Sequence, residues 1–80
     1  MIDASMAKKS KVYQIKSIDL SIEDVNYLSF YGISVDRLVK FGSKPLFNSG
    51  LRIVNIVNNV CDSRVAIRID ILIKIKIEEV

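Results

Sequence analysis

Val65-Ala66-Ile67-Arg68-Ile69-Asp70-Ile71-Leu72-Ile73-Lys74-Ile75-Lys76-Ile77 carries a β-branched apolar residue at every second position. Successive side chains of a strand point to opposite faces, so this spacing reads as β structure with one greasy face. One uninterrupted strand of that length would far exceed the ~5–6 residues usual in a small domain. A break inside the run is expected, and periodicity alone does not place it.

Working outward, Val12-Tyr13-Gln14-Ile15-Lys16-Ser17-Ile18 is rich in β-branched and aromatic residues and predicts a first strand. Leu38-Val39-Lys40-Phe41 starts a second, and Leu51-Arg52-Ile53-Val54-Asn55-Ile56-Val57 forms a third. Gly42-Ser43-Lys44-Pro45, Asn48-Ser49-Gly50 and Asn58-Asn59 read as the loops and turns between them. Between the first two strands, Ser21 offers a helix N-cap for an amide at Glu23 or Asp24, whose carboxylates suit the first turn. Ile22, Val25 and Leu28 supply an apolar stripe, and Gly32 supplies a stop. The pattern predicts a helix over residues 22–31, too short to stand alone. Three or four strands and one short helix predict a small mostly-β barrel over residues 12–80, its closure removing the sticky edges of isoleucine-rich strands. Residues 1–11 lack periodicity and read as a disordered basic arm carrying Lys8, Lys9 and Lys11.

Eighty residues allow one domain. Half of them are apolar and the mean hydropathy is +0.30, high for a chain with so much surface to cover. Some of that apolar surface is expected to meet a partner. There is no histidine and one cysteine, Cys61, so neither a catalytic triad nor a Cys–His dyad nor a zinc site can be assembled. No P-loop or GxGxxG is present, and the carboxylates read as helix-start charge and solvated strand faces. The expectation is a non-enzymatic chain without cofactor or resident metal. No uncharged run approaches the ~18–20 residues of a membrane span. Met1–Lys11 lacks the pattern of a secretory signal, so a cytoplasmic location is expected.

At Leu28-Ser29-Phe30-Tyr31-Gly32-Ile33 the sequence resembles the FeoA family. That family carries a short helix ending in a leucine followed by Gly-Ile, then a strand, then a Pro-Leu pair; this chain has Leu28, Gly32-Ile33 and Pro45-Leu46 in that order. Ser63-Arg64-Val65-Ala66-Ile67-Arg68 resembles the family's Val-Ala-Leu-Arg strand, and Ile75 and Ile77 fit its closing strand. The resemblance covers residues 12–78. It implies an SH3-like β-barrel in which a tight or helical turn interrupts the isoleucine run near positions 69–73. Where the family usually has Pro-Gly after Gly-Ile, this chain has Val35-Asp36. The hairpin between Leu51 and Ser63 also looks longer than usual.

The resemblance further implies a cytoplasmic accessory protein of ferrous iron transport. It would dock on FeoB, a membrane transporter with a GTP-binding domain, and influence its assembly or GTPase cycle. The contact surface expected on this reading is Leu28, Tyr31 and Ile33 with the Pro45-Leu46-Phe47 loop, Tyr31 and Phe47 being the anchors. Leu28 and Ile33 have an alternative reading as caps of the barrel core. The alternative function is the SH3-like regulatory domain of an iron-dependent repressor. Direct nucleic-acid binding ranks lower, because Arg37, Lys40, Lys44 and Arg52 are scattered among acids.

Overall fold

The isoleucine run is broken by a single helical turn. In the computed structural model, which describes residues 1–43, 50–57 and 63–80, strand β5 (Ser63–Arg68) ends where helix α2 (Ile69–Leu72) turns the chain, and β6 (Ile75–Glu79) follows. The break therefore lies within the interval that the resemblance implied. Ile67, Ile75 and Ile77 are buried on the core side.

β1 (Ile2–Asp3), β2 (Val12–Ile18), β3 (Leu38–Phe41) and β4 (Leu51–Ile56) complete one antiparallel sheet, in the order β1-β6-β2-β3-β4-β5. The mostly-β class with one short helix is as expected. The barrel is not closed: among the described residues, β1 and β5 are the two ends of the sheet and no ladder joins them. The core is enclosed by side chains instead. Ala4 and Ala7, Leu28 and Ile33, and Leu72 join the strand residues Ile15, Val39, Val54, Ile67 and Ile77 in one cluster. A small cavity of about 10 Å3 lies within this cluster.

The N-terminal segment departs from the expected disordered arm. Ile2 and Asp3 pair with Ile77 and Lys76, and a 3-10 turn (Ala4–Met6) follows, capped by the Asp3 carboxylate. The physical cause is Arg52. It sits inward on β4, 1% exposed, with its guanidinium over the Phe41 ring at 5.1 Å. It donates to the carbonyls of Ala4, Ser5, Ala7 and Gly42. Burial pushes its pKa below the usual arginine value. Further along, the Lys8 amide donates to the Tyr13 hydroxyl at 2.8 Å and the Ser10 amide to the Phe41 carbonyl at 3.1 Å. A segment without hydrophobic periodicity is thus held by its backbone.

Helix α1 (Ile22–Phe30) begins at Ser21, whose hydroxyl accepts from the Asp24 amide at 3.3 Å. Its end is a Schellman motif: the Ile33 amide donates to the Leu28 carbonyl and the Gly32 amide to Ser29. Gly32 has φ +86°, a conformation that glycine adopts without strain. Leu28 and Ile33, the pair that makes the hydrophobic contact of such a motif, are both buried.

The next turn is built on Val35-Asp36. The Arg37 amide donates to the Ser34 carbonyl, and Asp36 has φ +73°. A positive φ at the third position of such a turn is the type II signature, which Pro-Gly fits best. Asp36 holds the left-handed conformation at a cost of ~1–2 kcal/mol, partly relieved because aspartate tolerates it better than most residues. Asp36→Gly is expected to stabilise the fold by about 0.5 kcal/mol, the relief exceeding the entropy that glycine adds to the unfolded chain. Thermal melting should rise by ~2–4 °C. A fall would mean that the aspartate side chain contributes more than the strain removes.

Candidate docking site at the end of helix α1

Helix α1 buries one residue, Leu28. The expected stripe of Ile22, Val25 and Leu28 is not a single face, because steps of three drift by ~60° each around a helix of 3.6 residues per turn. Ile22 therefore lies exposed, Val25 half-buried and Leu28 buried. Phe30 lies on the side opposite Leu28, Tyr27 on the flank and Tyr31 just past the helix end, and all three are exposed. Phe30, at 89%, is the most exposed large apolar side chain among the described residues. Tyr27 and Tyr31 pack edge to face with ring centroids 5.3 Å apart, and their hydroxyls lie 3.4 Å from each other. That contact raises the Tyr27 pKa above the ordinary phenol value.

Beside these rings opens a shallow cleft of about 490 Å3, lined by Phe30, Tyr31, Gly32 and Arg37 on one side and by Ser63, Arg64 and Val65 of β5 on the other. Buried Ile56 completes the lining. Its two charged residues are both arginines, and neither makes an ion pair among the described residues. Aromatic rings and arginines are the side chains that most often anchor protein interfaces.

Of the residues expected to meet a partner, Tyr31 lies on this surface, 46% exposed. Leu28 and Ile33 do not: both are core residues, because the Schellman motif turns them inward together. That corrects their assignment as contact residues and agrees with the alternative reading as core caps. Pro45, Leu46 and Phe47 lie outside the described residues. Phe30 and Tyr27 were missed, although the position of Phe30 opposite Leu28 on the helical wheel was a usable signal. Among the described residues no group of three or more Cys, Asp or Glu could hold a metal ion, and no helix is long and apolar enough to cross a membrane. No family model, no curated protein and no solved structure matches the chain.

Proposed function

We propose that this chain is a non-enzymatic accessory protein of ferrous iron transport that docks on the cytoplasmic side of a FeoB-type transporter and modulates its assembly or GTPase cycle. The observation that carries the docking part is the aromatic end of α1. Three large rings stand in water on a helix that contributes a single residue to the core, an arrangement that a domain of this size has no structural reason to keep. The iron-transport part rests on the ordered motifs shared with the FeoA family, Leu28 with Gly32-Ile33 and the Val65-Ala66-Ile67-Arg68 strand. The Asp36 turn adds to it, since its backbone has the shape for which the family uses Pro-Gly.

The test is capture of detergent-solubilised FeoB-type transporter by the tagged chain and by Phe30→Ala and Tyr31→Ala. Losing an interface anchor costs about 2 kcal/mol or more, roughly a thirtyfold fall in affinity. Exposed positions contribute little to folding, so melting should move by no more than about 4 °C. Failure of the unaltered chain to capture the transporter would overturn the function. Normal capture by both variants would overturn the surface.

A further inference from the structure

Strand β4 is apolar on both faces. Its inward residues are Arg52, Val54 and Ile56, while Leu51 and Ile53 point outward and are exposed, with Val57 following in the same phase. The solvent face of an antiparallel sheet is ordinarily polar, so aliphatic residues in water here ask for a partner. The ladders show what surrounds them. Arg68 stands opposite Leu51, Ala66 opposite Ile53, and Lys40 and Arg64 flank Asn55. Arg68 is paired with Asp70 of α2, whereas Lys40 and Arg64 make no ion pair among the described residues. No acidic residue lies on the outer face of β3, β4 or β5; Glu78, on that face of the sheet, is beyond β2 on β6.

We infer that the outer face of β3–β5 is a contact surface for an anionic lipid bilayer. Aliphatic side chains ringed by cations are the chemistry of interfacial lipid binding, the chains entering the headgroup boundary while the cations meet phosphates. A second copy of the chain would set Lys40 and Arg64 against their own kind. Single-stranded nucleic acid needs aromatic rings to stack on, and among the described residues this face carries none. A protein partner would likewise look for aromatic anchors, and those are on α1. The face is separate from the α1 cleft except at Arg64, so it stands whether or not the chain docks on a transporter.

Co-sedimentation of the full chain with vesicles tests this in the absence of any transporter. Vesicles of equal parts phosphatidylglycerol and phosphatidylcholine should bind the chain, and pure phosphatidylcholine should not. Each cation near the surface contributes a factor of about five, so Lys40→Glu with Arg64→Glu should weaken binding at least thirtyfold. Ile53→Ser should weaken it at unchanged charge and near-normal melting, and added salt should release the chain. Lys8→Gln with Lys9→Gln should leave binding intact. Equal binding to neutral vesicles, or loss confined to the Lys8 and Lys9 variant, overturns the inference. So does a polyglutamate peptide or a single-stranded oligonucleotide that displaces the vesicles and binds more tightly than they do. Because the vesicles hold no transporter and the capture assay holds no bilayer, the failure of either reading is visible apart from the other.

Discussion

Arg52→Met should destabilise the protein by about 3 kcal/mol and lower its melting temperature by at least ~12 °C. Methionine restores most of the volume above Phe41 but none of the donors. Five hydrogen bonds to four backbone carbonyls disappear; the buried Ala7 carbonyl loses its partner where water does not replace it, and Ala4 keeps the 3.4 Å bond from the Ala7 amide. Each buried group left unsatisfied costs roughly 1–3 kcal/mol. A domain of this length has about 4–12 kcal/mol in total, so the loss is a large part of it. Arg52→Lys keeps the charge but not the planar fork, and it is expected to behave more like Arg52→Met than like the parent. The first structure to go is the N-terminal segment. Amide exchange at Lys8 and Ser10 should quicken, and trypsin should cut after Lys8, Lys9 and Lys11 while β2–β6 remain intact. Unchanged melting and unchanged exchange in Arg52→Met would mean that the segment is held by Ala4 and Ala7 packing alone.

The same residue shows where sequence reading stopped. Ala4 and Ala7 are small and aperiodic, and what orders them is a guanidinium 48 residues along the chain from Ala4. Nothing local marks that partnership, and a charged residue in a strand reads as solvent-facing by default. The phase of β4 was hidden for the same reason, because Leu51, Ile53, Val54 and Ile56 place apolar residues on both faces and alternation then chooses neither. Where a local rule decides, the reading succeeded: β2 and β3 by alternation and β-branching, the start of α1 by the Ser21 cap, its end by Gly32. The candidate site was legible in part. Tyr31 stood next to a motif that could be read, but Leu28 and Ile33 belong to that motif because they close the helix end over the core, so their pattern reports folding and not recognition. Phe30 was readable from helix geometry, once the stripe at spacing three is seen to wind around the axis.

The break in the isoleucine run makes the second large prediction, because it reverses the roles of two adjacent residues. In one strand from Val65 to Ile77, Ile73 would face the core with Val65 and Ile67, and Leu72 would face water. The helical turn of α2 does the opposite: Leu72 is 1% exposed and Ile73 is 44% exposed. Leu72 lines the small core cavity with Ala4, Ile15, Ile33 and Ile75, so the space around it has little slack to collapse. Leu72→Ala should therefore cost about 2–5 kcal/mol, from lost burial and from the enlarged cavity together. Ile73→Ala should cost under about 1 kcal/mol. Urea unfolding of the two variants under the same conditions measures the difference, with equal denaturant slopes confirming that both still unfold as one unit. Equal losses, or a larger loss at Ile73, would place the isoleucine face where simple alternation puts it and remove α2 from the fold. The expected ranking follows from the one large even-numbered aliphatic residue in the run, Leu72, which fills the core only if the chain turns beneath it.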